Sequence, residues 1–110
     1  MLNSIEYKEL MVNELIVDNN YHQNINRKRC EHMAENFIIN LISPIDVVLR
    51  NDGKYYIIDG KHRVEVLKLK GVNKVMCTIH HGFNYEDECK LFIAINDPKN
   101  YNRNKERKIS

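Results

Sequence analysis

The run Pro44–Gly71, PIDVVLRNDGKYYIIDGKHRVEVLKLKG, constrains the fold more than any other part of the chain. Two extended apolar pieces, IDVVLR and KYYIID, flank Asn51-Asp52-Gly53. That tripeptide is a hairpin signal, because glycine tolerates the positive φ such turns require. The second piece passes directly into a helical pattern over about 61–70, with Gly71 placed as its C-terminal stop. Lys68 and Lys70 sit at that end, where cations are favoured. Tyr55 and Tyr56 alternate across the return strand, which predicts one buried and one exposed ring.

The flanks supply the remaining elements. Leu10, Val12, Leu15 and Val17 predict a strand with a break near 9–17, followed by the Asn/Asp-rich loop DNNYHQNIN. Asn26 is placed to cap a helix over about 27–37, where Cys30, Met33, Ala34 and Phe37 follow the i, i+3, i+4, i+7 spacing of a core stripe. KVMCTIH reads as a strand with Val75, Cys77 and Ile79 on one face. Asn84 then caps a helix over about 85–96, with Glu86, Asp87 and Glu88 in its first turn and Cys89, Leu91, Phe92 and Ile95 as its buried face. Pro98 ends it. The order is strand, helix, hairpin, helix, strand, helix, which predicts a single α+β domain with a small mixed sheet and flanking helices. The domain is placed over residues 1–97, with 98–110 a basic tail or the start of a linker.

A chain of 110 residues suits one domain and buries about two-thirds of its unfolded surface, so it needs no disulfide. Cys30, Cys77 and Cys89 form no CxxC or Cys/His cluster and read as reduced core residues, not zinc ligands. No stretch approaches the roughly 20 apolar residues of a membrane span, and Glu6, Lys8 and Glu9 interrupt any leader-like N-terminus, so a cytoplasmic location is the default. From Pro98 onward five cations face one carboxylate, a charge of +4, which leaves −2 on the rest of the chain. The body is therefore not a basic nucleic-acid surface, and the tail is either a phosphate contact or a solvated linker.

One feature resists a purely structural account. Lys61, His62 and Arg63 open a helix, at the pole where cations are disfavoured by about 0.3–1 kcal/mol each. Asp59 offsets part of this as the expected N-cap, and Gly60 removes a side chain where a ligand would approach the backbone. Helix N-terminal amides, a glycine and adjacent cations together form a phosphate site. The competing reading is a structural turn with Asp59–Arg63 pairing.

Following a strand, with SPIDVVLRNDGKYYII before it and LFIAIND after it, DGKHR resembles the ParB/sulfiredoxin superfamily, specifically a ParB N-terminal-like domain of the D-G-Q-H-R type found in phage and mobile-element proteins. The resemblance covers roughly residues 9 to 99. In partition ParB proteins the segment is G-E-R-R and holds CTP phosphates; Gly60 matches its Gly, Lys61 its Glu, and His62 and Arg63 its two arginines. In sulfiredoxins it is G-G-C-H-R and holds ATP phosphates; Asp59 and Gly60 take the glycines, Lys61 the catalytic Cys, and His62 and Arg63 match. Lysine cannot perform the sulfur attack, so the resemblance carries no sulfiredoxin activity here. The ParB motif G-x-x-Q-P-I falls on Asn40 to Ile45, with Ser43 at the Gln and Pro44 and Ile45 matching. The later E-N-x-x-R places Ile95 at the Glu, Asn96 at the Asn and Lys99 at the Arg. With Ile95 there, the carboxylate that supports magnesium is lost.

The resemblance implies a nucleoside triphosphate, CTP or ATP, held by Asp59, Gly60, Lys61, His62, Arg63, Ser43, Asn96 and Lys99. The setting it implies is DNA partition, maintenance or regulation. DNA would be reached through the basic tail or a further C-terminal domain, a homodimer is compatible with it, and no DNA-reading helix is identified in this chain. Two alternatives stay open. One is a ParB-like nuclease or phosphotransfer enzyme, for which Asp59, Asp46 and Asp52 are the acidic candidates. The other is a non-catalytic interaction module. Tyr21-His22-Gln23 is a candidate pocket wall. Arg27, Lys28 and Arg29 either add positive potential to the pocket or form a solvated face, and His80 and His81 take surface or core roles.

Overall fold

The structure, a computed structural model, describes residues 3–22, 24–36 and 43–96. Its strands are β1 (Ser4–Met11), β2 (Leu15–Ile16), β3 (Ile45–Leu49), β4 (Tyr55–Asp59) and β5 (Lys74–His81). Its helices are α1 (Arg27–Glu35), α2 (Lys61–Leu69) and α3 (Tyr85–Ile95), with a 3-10 turn at Val12–Glu14. The sheet order is β1-β5-β3-β4-β2. β1 and β5, and β3 and β4, pair antiparallel, whereas β3 with β5 and β2 with β4 are parallel.

The hairpin forms as the sequence predicts. Gly53 takes φ 78°, its N–H donates to the Arg50 carbonyl at 2.9 Å, and the Asp52 carboxylate accepts from the Lys54 N–H at 2.9 Å. One face of the sheet presents Leu10, Ile45, Val47, Ile57, Val75, Cys77 and Ile79, and Val12, Val64 and Leu67 close over it. Burying an aliphatic side chain contributes about 1.5–3 kcal/mol. Val64, Val66 and Leu67, all buried, therefore outweigh the cost of the cations at the start of α2 and fix where that helix lies. α1 packs on α2, and α3 covers the opposite face of the sheet beside β4.

Several expectations need correction. The first strand begins at Ser4, not near residue 9, and breaks at the 3-10 turn, so only Leu15–Ile16 continue it on the far edge of the sheet. Tyr55 and Tyr56 are both half-buried. Tyr56 is sheltered on its outward side because the Arg50 guanidinium lies 3.5 Å from its ring centre and its hydroxyl donates to Asp52 at 2.7 Å. On α3 the fully buried side chain is Glu88, while Cys89, Leu91, Phe92 and Ile95 are half-buried. Cys30 and Cys77 are buried and all three cysteines are free thiols. Phe37 and the basic tail from Pro98 lie outside the described residues. No helix among the described residues is long and apolar enough to cross a membrane.

Candidate functional site

β4 ends at Asp59, and Gly60 turns the chain into α2 with φ 110°, a value side chains other than glycine rarely adopt. The N-cap position is therefore Gly60, and Asp59 does not cap the helix as the sequence predicts. Its carboxylate instead accepts from Arg63 Nη2 at 3.4 Å. Gly60 is also crowded: a Cβ there would lie 2.7 Å from Ile45 Cδ1 and 2.9 Å from Arg63 Nη2. Gly60→Ala is expected to cost about 1–3 kcal/mol through backbone strain, with the clash against buried Ile45 in addition. Urea denaturation monitored by circular dichroism measures it.

The three cations after Gly60 have separate fates. Arg63 is only 5% exposed in its side chain. Its Nη1 donates to the carbonyls of Ser43 at 2.6 Å and Pro44 at 3.3 Å. Burial pushes its pKa down while Asp59 and Asp46 oppose that shift. Arg63 is thus a tie between the mouth of α2 and the chain entering β3. With Lys61 and His62 it also lines a cleft of about 600 Å³. His62 Nε2 accepts the Asn26 N–H at 3.0 Å, which leaves Nδ1 as the nitrogen that can donate to a ligand. That bond supports the neutral ring, as do burial and the nearby Arg29, Lys61 and His22, which hold the His62 pKa below its ordinary value.

The cleft is enclosed by the loop before α1, by α1, by the mouth of α2 and by the C-terminal end of α3. Arg29 and His32 come from α1, Tyr21 and His22 from the loop, and Phe92 and Asn96 from α3. Tyr21, His22 and Phe92 pack ring to ring, with centroids 4.8–4.9 Å apart, and the His22 Nε2–H donates to the Ile57 carbonyl. Burial lowers the His22 pKa, and burial with the charge of Arg29 lowers that of Lys61. Tyr21 and His22 form part of the pocket wall, and Arg29 lines the cleft while its side chain stays exposed. Arg27 and Lys28 do not line the cleft, and Gln23 lies outside the described residues.

Ser43 lines a second cleft of about 560 Å³ on the other side of α3, together with Asp46, Thr78, His80, Leu91 and Ile95, and its carbonyl accepts from Arg63. Lys99 lies outside the described residues. Asn96 lines the first cleft and closes α3, its Nδ2 donating to the Phe92 carbonyl at 2.8 Å. Of the three acidic candidates, Asp46 and Asp59 stand opposite each other across β3 and β4, while Asp52 lies at the hairpin turn; Asp59 faces Arg63, Asp52 faces Tyr56, and Asp46 accepts from His80 Nε2 at 3.1 Å. His81 bonds Glu6 at 2.9 Å. Among the described residues no group of three or more His, Cys, Asp or Glu is placed to hold a metal ion. Asp59 is the one described carboxylate lining the first cleft, and it is engaged with Arg63, so the described residues offer magnesium at most one carboxylate there.

Sequence reasoning missed a charged network behind the cleft. Arg50 donates from Nε to Glu88 Oε1 at 2.9 Å and from Nη2 to Glu88 Oε2 and to Asp18 Oδ2 at 2.6 Å. The Tyr21 hydroxyl donates to Glu88 Oε2 at 2.7 Å. Burial and Glu88 push the Tyr21 pKa up, and Glu88 is the main reason that of Arg50 is raised. The network anchors the aromatic wall of the cleft to the hairpin. An acidic residue at the start of α3 was read as a dipole partner, and its burial left no local signal.

The strand order, the three helices and the cleft at the mouth of α2 place the chain among ParB/sulfiredoxin-like domains. A chromosome-partitioning protein ParB from Caulobacter crescentus, solved with CTP-gamma-S, superposes with a TM-score of 0.71 at 16% identity, over 86% of this chain and 53% of that one. Sulfiredoxin from Arabidopsis thaliana superposes at 0.57 and 26% identity, over 70% and 86%. A free serine kinase with AMP does so at 0.55 and 22%, over 66% and 30%. This chain thus spans about half of the ParB protein and under a third of the kinase. No curated protein sequence matches it. A family of unknown function, DUF6551, matches residues 17–100, and the chain belongs to that family.

Proposed function

We propose that this domain binds a nucleotide, or another ligand bearing a phosphate, with the phosphates at the mouth of α2. The observation that carries this is the gathering of Lys61, His62 and Arg29 around one cleft at the first amides of a nine-residue helix. Lys61 and Arg29 repel each other across it, which lowers the Lys61 pKa beyond the effect of burial. An anion seated between them relieves that repulsion. Lys61 and Arg29 give charge-assisted hydrogen bonds, His62 donates from Nδ1, and Gly60 lets the ligand reach the backbone. Asn96 is placed to contact the sugar or base end, near the Tyr21–His22–Phe92 rings. The ParB protein solved with CTP-gamma-S and the serine kinase solved with AMP support the nucleotide reading. DNA partition, maintenance or regulation is the setting that follows from the ParB likeness. DNA contact would belong to the basic tail or to a further domain.

Isothermal titration with CTP, ATP and GTP, with and without magnesium, tests this. One of the three binds, and Lys61→Ala and Arg29→Ala each weaken it by about tenfold or more, the worth of one charge-assisted hydrogen bond. Affinity unchanged in Lys61→Ala removes the site, and no binding of any of the three removes the nucleotide reading. The nuclease alternative finds no group of three or more carboxylates among the described residues to support it.

A further inference from the structure

The two edges of the sheet differ. β2 offers two residues, whereas β1 offers eight, Ser4–Met11, paired on one side with β5. Seven of its residues are exposed, including Ile5 at 57% and Tyr7 at 69%. A long strand with an unpaired row of N–H and C=O groups is a template for another strand. Short edge strands and charged side chains are the usual ways to blunt such an edge. Here Glu6 and Lys8 stand symmetrically about Tyr7.

We infer that β1 pairs antiparallel with β1 of a second copy of this chain, with a two-fold axis at Tyr7, to form one continuous ten-stranded sheet. An axis perpendicular to the sheet keeps each residue on its own face, so opposed residues must have an even sum of numbers. With the axis at Tyr7, Glu6 of each copy faces Lys8 of the other, and the two Tyr7 rings face each other. Moving the axis to Glu6 or to Lys8 brings like charges face to face. The charge pattern therefore selects one register among the three central ones. Opposite charges and aromatic rings directly across two strands are both favourable, and like charges are unfavourable. Glu6 keeps a carboxylate oxygen for this contact, since Oε1 takes His81 and the side chain is 50% exposed.

Sedimentation equilibrium of the full chain over a concentration series tests the inference. The parent dimerises with rising concentration. Glu6→Lys and Lys8→Glu each weaken the dimer by about tenfold, by turning two attractive cross-strand pairs into repulsive ones. The double variant Glu6→Lys/Lys8→Glu restores it. Both positions are exposed, and circular dichroism verifies that each variant is folded. A parent that stays monomeric throughout, single variants that associate like the parent, or a double variant that fails to recover overturns the inference. None of these outcomes touches the nucleotide cleft, whose titration stands separately.

Discussion

Arg50→Ala is expected to destabilise the domain by about 3–5 kcal/mol, the cost of removing one partner from a buried ion pair. Arg50 itself is 23% exposed, but the partner it leaves behind is the Glu88 carboxylate at 1% exposure, and Asp18 at 8% loses its ion pair as well. The guanidinium also stacks over Tyr56. Urea denaturation of the variant measures the loss, and a change under 1 kcal/mol overturns the account of the network. The same variant changes the acid limb. Burial pushes the Asp18 carboxyl up, but Arg50 and the Asn20 N–H together outweigh it and hold the group below its ordinary 3.8. A carboxyl depressed in the folded state contributes stability that is present above the unfolded value and lost as pH falls through the folded one. The parent therefore loses this share below about pH 4, and Arg50→Ala shows a flatter slope there.

Arg63→Ala is expected to cost a similar amount, about 3–5 kcal/mol, because Asp59 and the Ser43 and Pro44 carbonyls lose a donor that is itself buried. Arg63→Lys rescues little, since one ammonium cannot reproduce a planar fork serving several acceptors. Lys61→Ala, by contrast, leaves the denaturation midpoint nearly unchanged while weakening the ligand. The two cations of the motif thus separate by assay: one fails in urea, the other in titration. Equal stability of Arg63→Ala and the parent would falsify the assignment of Arg63 to the scaffold.

Local pattern accounts for much of this architecture. Asn51 to Gly53 set the hairpin, Asn26 and Asn84 cap α1 and α3 by accepting the Arg29 and Asp87 N–H groups, and DGKHR opens α2 at Lys61. The pocket wall at Tyr21 and His22 was legible through the family likeness. The misses share one cause, contacts between residues far apart in sequence. The Ser43 and Pro44 carbonyls that converge on Arg63 lie 20 and 19 residues from it, with no local signal. The Asn26 N–H that His62 Nε2 accepts, leaving Nδ1 as the donor, lies 36 residues away. Glu88 is paired with Arg50 over 38 residues. The opening of β1 was invisible for a different reason: Ile5 and Tyr7 alternate as a strand requires, but their side of the edge is exposed, so no buried face marks it.

The Arg63 guanidinium stands where the two clefts come closest, holding the carbonyls of Ser43 and Pro44, which border the second, to the turn that forms the floor of the first. Among the described residues the hollows on either side of α3 therefore share a fastening. A tilt of the opening turn of α2 would be passed through it to the threshold of the neighbouring hollow.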